Sequence, residues 1–335
     1  MNSKTQSLLV GLVGGVASAL LILGSGNLSP LSVLLSACAM LPILIAGLGW
    51  SNFAGAVSVI AGTLVIAVAI SPLGALMVAV TTLLPAAWIA HLSNLARPAE
   101  EIGGPQGKLA WYPLSDIMLH ICGLVSLSLV ILGYAVGYGE EIVAEVVENL
   151  FAVLGDQNPE FQPGTEGQSE MVAFMTRVLP ALQSAMWVII LFTAWYLACG
   201  IVRVSGRAKR PADFIPAALR MSRLALLIFG VGLALSFIGG TLGLIGAAIS
   251  GAFAGGFMLA GLAMLHHRTL GRTWRFVALW FSYMAIFILF PLPLIIFLFA
   301  GLFDTARTAP LSASGPPPDD PDDPEEPPKS NNQSN

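Results

Sequence analysis

Charge is what this sequence has least of. Of its 335 residues 10% are Asp, Glu, Lys or Arg and 56% are hydrophobic, whereas a soluble domain is about 25% charged. Between Met1 and Ala96 the only charged side chain is Lys4. A soluble fold needs a charged surface, and a segment with one ammonium group cannot supply it. The shortage excludes an ordinary soluble enzyme, a nucleic-acid binder and a disordered chain. Cysteine is scarce as well. Cys38, Cys122 and Cys199 lie inside apolar runs, with no CxxC pair and no disulfide framework. There is no HExxH signature, no series of acids deep in an apolar run, and no visible nucleophile–base pair. These absences read as a non-enzyme with no metal site and no cofactor, and they disfavour a proton-coupled transporter and an intramembrane metalloprotease.

What is present is a succession of apolar runs. In a bilayer such runs satisfy their own backbone only as helices. The expected fold is all-α: a polytopic integral membrane helical bundle of about nine spans, within a range of eight to ten. The runs are 7–25, 31–49, 53–71, 73–94, 113–137, 178–202, 217–237, 239–265 and 276–302. The first four are divided only by Gly24-Ser25-Gly26-Asn27 and Pro30, by Trp50-Ser51-Asn52 and by Ser71-Pro72. Such short breaks force antiparallel neighbours; at Ser71-Pro72 a kinked or re-entrant pair is an alternative. Lys4 and Ala17-Ser18-Ala19 outline a signal peptide, but the apolar run continues to Leu23, so an uncleaved first span is expected. The membrane domain is 1–302, with an extracytoplasmic amphipathic insertion at 139–177. Residues 303–335 form a separate tail: Gly315–Pro328 holds seven prolines and six acids, which build no core and read as disordered.

Orientation follows from the basic residues. With a cytoplasmic N-terminus, the loops 95–112, 203–216 and 266–275 all fall inside, and only Arg177, Arg307 and Lys329 fall outside. The last run, 276–302, would be about 40 Å of helix against a hydrocarbon core of about 30 Å, and Pro291 and Pro293 interrupt it. It reads either as one tilted, kinked span, which leaves the acidic tail outside, or as a tight hairpin, which returns it inside. The single span is the working expectation.

Few polar residues remain as site candidates, and ionisable residues in spans are functional candidates by default. Asp116 and His120 stand i, i+4 on the fifth span and share a face. They suit a polar ligand group or a proton; the alternative is an interfacial carboxylate and a histidine bonded within the bundle. Gly239, Gly243, Ala247, Gly251 and Gly255 recur every four residues, a spacing that lets membrane helices approach closely. Gly11 with Gly15 and Gly14 with Ser18 repeat it on the first span. Val143, Val146, Val147, Leu150 and Leu154 trace the apolar stripe of an amphipathic helix, whose other face carries Glu141, Glu145 and Glu148. Those acids read either as a cation-collecting face or as a solvated one. Gly103–Lys108 departs from the phosphate-loop spacing and has Leu109 after the lysine, so no nucleotide site is expected. Arg97-Pro98-Ala99-Glu100 and Arg210-Pro211-Ala212-Asp213 form a short repeat that hints at a duplicated half.

These motifs carry a resemblance. Four short spans, then LARPAE at Leu95–Glu100, WYP at Trp111–Pro113, RPADFIP at Arg210–Pro216, a span opening Gly239-Gly240, and a close at Gly301-Leu302-Phe303-Asp304 with Arg307 resemble the YybS-like family of bacterial membrane proteins, a domain of unknown function. The likeness covers about residues 5–307. The family's membrane region is similar to the substrate-binding S components of energy-coupling-factor transporters. What the resemblance implies is an inner-membrane protein that binds or transports a vitamin or small metabolite. Separate ATPase and scaffold subunits would be its partners beside the lipid bilayer. S components usually have six spans, so this chain is larger. The second expectation is a non-transporting membrane scaffold that recruits partners through its basic inner loops and acidic tail.

Overall fold

The computed structural model describes residues 2–26, 30–137, 140–157, 165–289 and 292–305. The acidic tail and the link between the two helices of the outer insertion lie outside the described residues.

The chain is an all-α bundle. Among the described residues, seven helices are long and apolar enough to cross a membrane: Ser3–Gly24, Leu31–Gly49, Asn52–Ala69, Pro72–Ser93, Leu114–Ala135, Gly167–Val204 and Gly240–Arg268. Three shorter apolar helices accompany them. The first is α1 (Ser3–Gly24). The next run is α2 (Pro30–Cys38) and α3 (Leu41–Gly49), with Pro42 in the first turn of α3. Then come α4 (Asn52–Ala69), α5 (Pro72–Val78) and α6 (Leu84–Ser93). The expected breaks are built by serine caps. Ser51 Oγ accepts from Ala54 N at 3.1 Å and Ser71 Oγ from Gly74 N at 3.0 Å. Each cap satisfies a donor that the first helical turn leaves open. Between α5 and α6 a π-helical turn, Ala79–Leu83, takes up the register change ahead of Pro85.

The loop expected at 95–112 contains a small antiparallel hairpin, β1 (Ala96–Pro98) and β2 (Leu109–Trp111), with Arg97 opposite Ala110. Gly103 (φ +77°) and Gly107 (φ +73°) turn its tip, and Glu100 Oε1 accepts from Gly107 N at 3.0 Å. Three-residue strands are too short for an alternation to show, so the sequence did not mark them.

Beyond it run α7 (Leu114–Val136), α8 (Glu140–Gln157) and α9 (Thr165–Val204). Val143 and Val147 are buried and α8 leans on α9. Val146, Leu150 and Leu154 stay exposed, as do Glu141, Glu145 and Glu148. α9 begins well before the expected 178. It is 40 residues long, about 60 Å by helical rise, so part of the insertion expected at 139–177 is an extension of this helix.

The last third departs most from the expected spans. After α10 (Ile215–Ala218), α11 is only Arg223–Ser236, 14 residues instead of a span over 217–237. α12 (Gly240–Arg268) runs back along it. Gly239, placed by its spacing among the packing residues, has φ +81° and precedes the helix. It turns the chain, and a Cβ there would meet nothing within 4 Å. Gly251 and Gly255 face Ala181 and Ala185 of α9, so α9 and α12 run parallel. Gly243 and the buried Ala247 complete the stripe, Gly243 against the backbone of Leu235 and Ser236.

The apolar run 276–302 is two helices, α13 (Arg275–Leu289) and α14 (Leu292–Asp304). Gly261 packs on Phe297 and Gly301 on Phe257, which makes α14 antiparallel to α12. By that register Leu292 lies level with the last turn of α12, where α13 also begins. Tyr283, midway along α13, still reaches His266 of α12 (Oη to Nε2, 2.9 Å). α13 therefore lies along this end of the bundle. The run is thus broken into two helices rather than continuous as one tilted, kinked span.

Candidate functional site

The expected pair sits where α7 leaves the hairpin. Pro113 starts α7, and Asp116 and His120 project one turn apart from its first two turns. Both are half-buried, and they do not bond to each other. His120 Nε2 instead meets the Tyr112 hydroxyl at 3.1 Å. Its ring lies edge-on to Trp88, centroids 6.3 Å apart, and Trp88 also flanks His91 at 5.7 Å. The result is an aromatic cluster of Trp88, His91, Tyr112 and His120. Desolvation, and secondarily the charge of Asp116, raise the Tyr112 pKa above the ordinary phenol value. Tyr112 therefore keeps its proton at neutral pH.

Asp116 has different neighbours. It lines a cavity of 510 Å³ together with Arg97, Ile102, Lys108, Trp111 and Tyr112, within the range of small-molecule sites. Among the described residues the Asp116 carboxylate has no hydrogen bond or ion pair. One carboxylate and two cations around an aromatic wall suit a small polar or zwitterionic solute. Tyr112 belongs to both halves of the site: its ring walls the cavity and its hydroxyl holds His120. The pair read from the sequence, Asp116 and His120, did not include Tyr112.

Arg210 was also missed. Its guanidinium is buried and forks onto Asp213, Nε to Oδ2 at 2.7 Å and Nη2 to Oδ1 at 3.0 Å, while Nη1 donates to the Tyr112 carbonyl at 2.7 Å. A bidentate carboxylate partner leaves the fork in a fixed plane. Arg210 thus fastens the loop after α9 to the residue that walls the cavity. The matching Arg97–Glu100 tetrapeptide makes no such pair; Arg97 lines the cavity and Glu100 closes the hairpin. The signal available in the sequence was the i, i+3 spacing of Arg210 and Asp213.

This end of the bundle collects basic groups. Arg207 lies over the Trp50 ring at 4.3 Å, and Lys209 donates to the Trp50 carbonyl at 3.1 Å. Asn94 Nδ2 donates to Gly47 O at 3.0 Å, and Trp195 Nε1 to Ser93 Oγ at 2.8 Å. Among the described residues no three His, Cys, Asp or Glu side chains gather as around a metal ion. No protein-family model matches the chain, and neither the curated proteins nor the solved structures contain a match to it.

Proposed function

We propose that the protein is a small-molecule binding or transport component of the bacterial cytoplasmic membrane, resembling the YybS-like proteins in its motifs and without an ATPase of its own. The observation that carries this reading is the cavity at Asp116: an unpaired carboxylate facing Arg97 and Lys108 beside an aromatic wall. Arg97 and Lys108 are exposed and Asp116 is half-buried, so the three charges are open to a polar solute entering the cavity. The seven long helices, α11, and the broken α13–α14 segment make up about nine membrane segments. The basic residues gather at the end where α7 starts and α9 ends, which supports a cytoplasmic N-terminus. α14 heads away from that end, in keeping with an extracytoplasmic tail. The cavity then opens to the cytoplasm, opposite α8, so ligand exchange occurs on the inner side in this conformation.

The expected outcome is that a thermal-shift screen of vitamins and metabolites on the purified protein yields at least one stabilising compound. Asp116→Asn should weaken that compound's binding about tenfold or more, the scale of losing a charge-assisted hydrogen bond, while the ligand-free melting temperature hardly moves. If no compound stabilises the protein and no ATPase subunit accompanies it from native membranes, the transport reading fails. The scaffold reading would then be tested by deleting 308–335.

A further inference from the structure

A second cavity, of 720 Å³, lies beside the first at the same end. The last two turns of α9 and the loop 205–216 form its walls, with Leu48, Ser93 and Asn94 behind. Arg203, Lys209 and Arg210 line it, against one acid, Asp213. Arg210 and Asp213 neutralise each other, so the excess charge comes from Arg203 and Lys209. Arg203 is exposed and makes no hydrogen bond or ion pair among the described residues. Lys209 spends one of its donors on the Trp50 carbonyl and has two left.

The remaining wall is apolar and exposed. Tyr196, Leu197, Ile201, Val204 and Phe214 are between 44% and 92% accessible and all line the cavity. Four of them belong to α9, so the cavity opens along the flank of a long apolar helix, continuous with the surface that meets acyl chains. A water-soluble anion would gain nothing from that wall. A lipid would use both parts, its phosphate at the two cations and its chains along α9.

We propose that this cavity is a binding site for one anionic phospholipid of the leaflet at the basic end. The phosphate sits between Arg203 and Lys209, and the first acyl methylenes lie on Leu197, Ile201 and Val204. Basic pockets between membrane helices on the cytoplasmic side recognise anionic headgroups in this way. The site is separate from the Asp116 cavity but coupled to it in position, because Arg210 walls the lipid site and holds Tyr112.

The test uses the full chain in phospholipid-free detergent, titrated with dioleoyl phosphatidylglycerol, dioleoyl phosphatidylcholine and inorganic phosphate, and read by native mass spectrometry. Phosphatidylglycerol is expected to give one tightly held adduct, and phosphatidylcholine a much weaker one. Arg203→Gln and Lys209→Gln should each weaken the adduct about fivefold, the worth of one basic residue near an anionic headgroup. Arg272→Gln, at the same end but outside the cavity, should leave it unchanged. Equal binding of the two lipids overturns the proposal, as does an equal loss in Arg272→Gln, which would mean a diffuse charge effect. Displacement of the lipid by inorganic phosphate at equal concentration would make this a site for a soluble anion and overturn the lipid assignment. Arg203→Gln removes a side chain with no internal partner, so its fold is expected to survive and its result is decisive alone.

Discussion

Gly251→Val is expected to leave little correctly folded protein in the membrane. A Cβ at Gly251 would fall on the carbonyl oxygen and Cα of Ala181, main-chain atoms of α9. A flexible side chain can swing away from an added methyl; a helix backbone cannot. The same holds one turn on, where a Cβ at Gly255 would stand 2.7 Å from the Ala185 carbonyl oxygen and 2.9 Å from its Cα. Helix association in a bilayer rests on close packing, because lipid tails are as apolar as the helices themselves. Separating α9 from α12 therefore removes the contact outright, a loss beyond the about 1–3 kcal/mol of ordinary overpacking. Gly123→Val is the control: a Cβ at Gly123 would meet nothing within 4 Å. Size-exclusion profiles and melting curves of detergent extracts should show Gly251→Val losing most of the folded peak and Gly123→Val keeping it. Similar profiles for the two would mean that α9 and α12 do not pack by this register.

Asp304→Ala carries the second large effect. Asp304, the last residue of α14, pairs with Arg220 at 3.4 Å, and their side chains are only 5% and 16% accessible. Met221, the next residue, has its sulfur 3.0 Å from a Cβ built on Gly256, whose other close neighbour is Cys122 Sγ. Cys122 lies two turns into α7, so the ion pair is held about 12 Å from the start of that helix. Removing the carboxylate takes a partner from the largely enclosed Arg220 guanidinium and should cost about 1–3 kcal/mol. Replacing both partners by apolar residues, Arg220→Met with Asp304→Leu, should recover most of that loss, since a paired burial costs desolvation as well. The check is thermal unfolding of the single and double variants. A double variant as unstable as the single would assign the effect to something other than the loss of this pair.

That pair also shows where the sequence stopped being legible. The membrane class, the serine-capped breaks and the stripe at Gly243–Gly255 follow from composition and spacing, which are local properties. The break between α13 and α14 was visible in Pro291 and Pro293, but its outcome was not. α14 turns back along α12 because Gly261 and Gly301 admit each other's backbones and Asp304 finds Arg220, residues 84 positions away in sequence. Spacing within one run carries no trace of such a partner. The site divides in the same way. Asp116 and His120 share a helix face and were readable together. Tyr112 and Arg210 join them through the base of the hairpin and a loop nearly a hundred residues on. The structure also splits the expected pair, sending Asp116 into a cavity and His120 into an aromatic cluster.

In the proposed orientation the Asp116 cavity opens on the cytoplasmic face of a membrane-spanning bundle. Gln106, at the hairpin tip beside that cavity, and Glu145, on the outer face of α8, are both exposed and mark the two ends. Single cysteines at these positions, in a chain whose own three cysteines are replaced by serine or alanine, can be probed with a membrane-impermeant maleimide. Glu145→Cys is expected to be labelled in intact cells stripped to the inner membrane, and Gln106→Cys only after permeabilisation. Labelling of Gln106→Cys without permeabilisation, or of both positions from one side, would contradict that orientation.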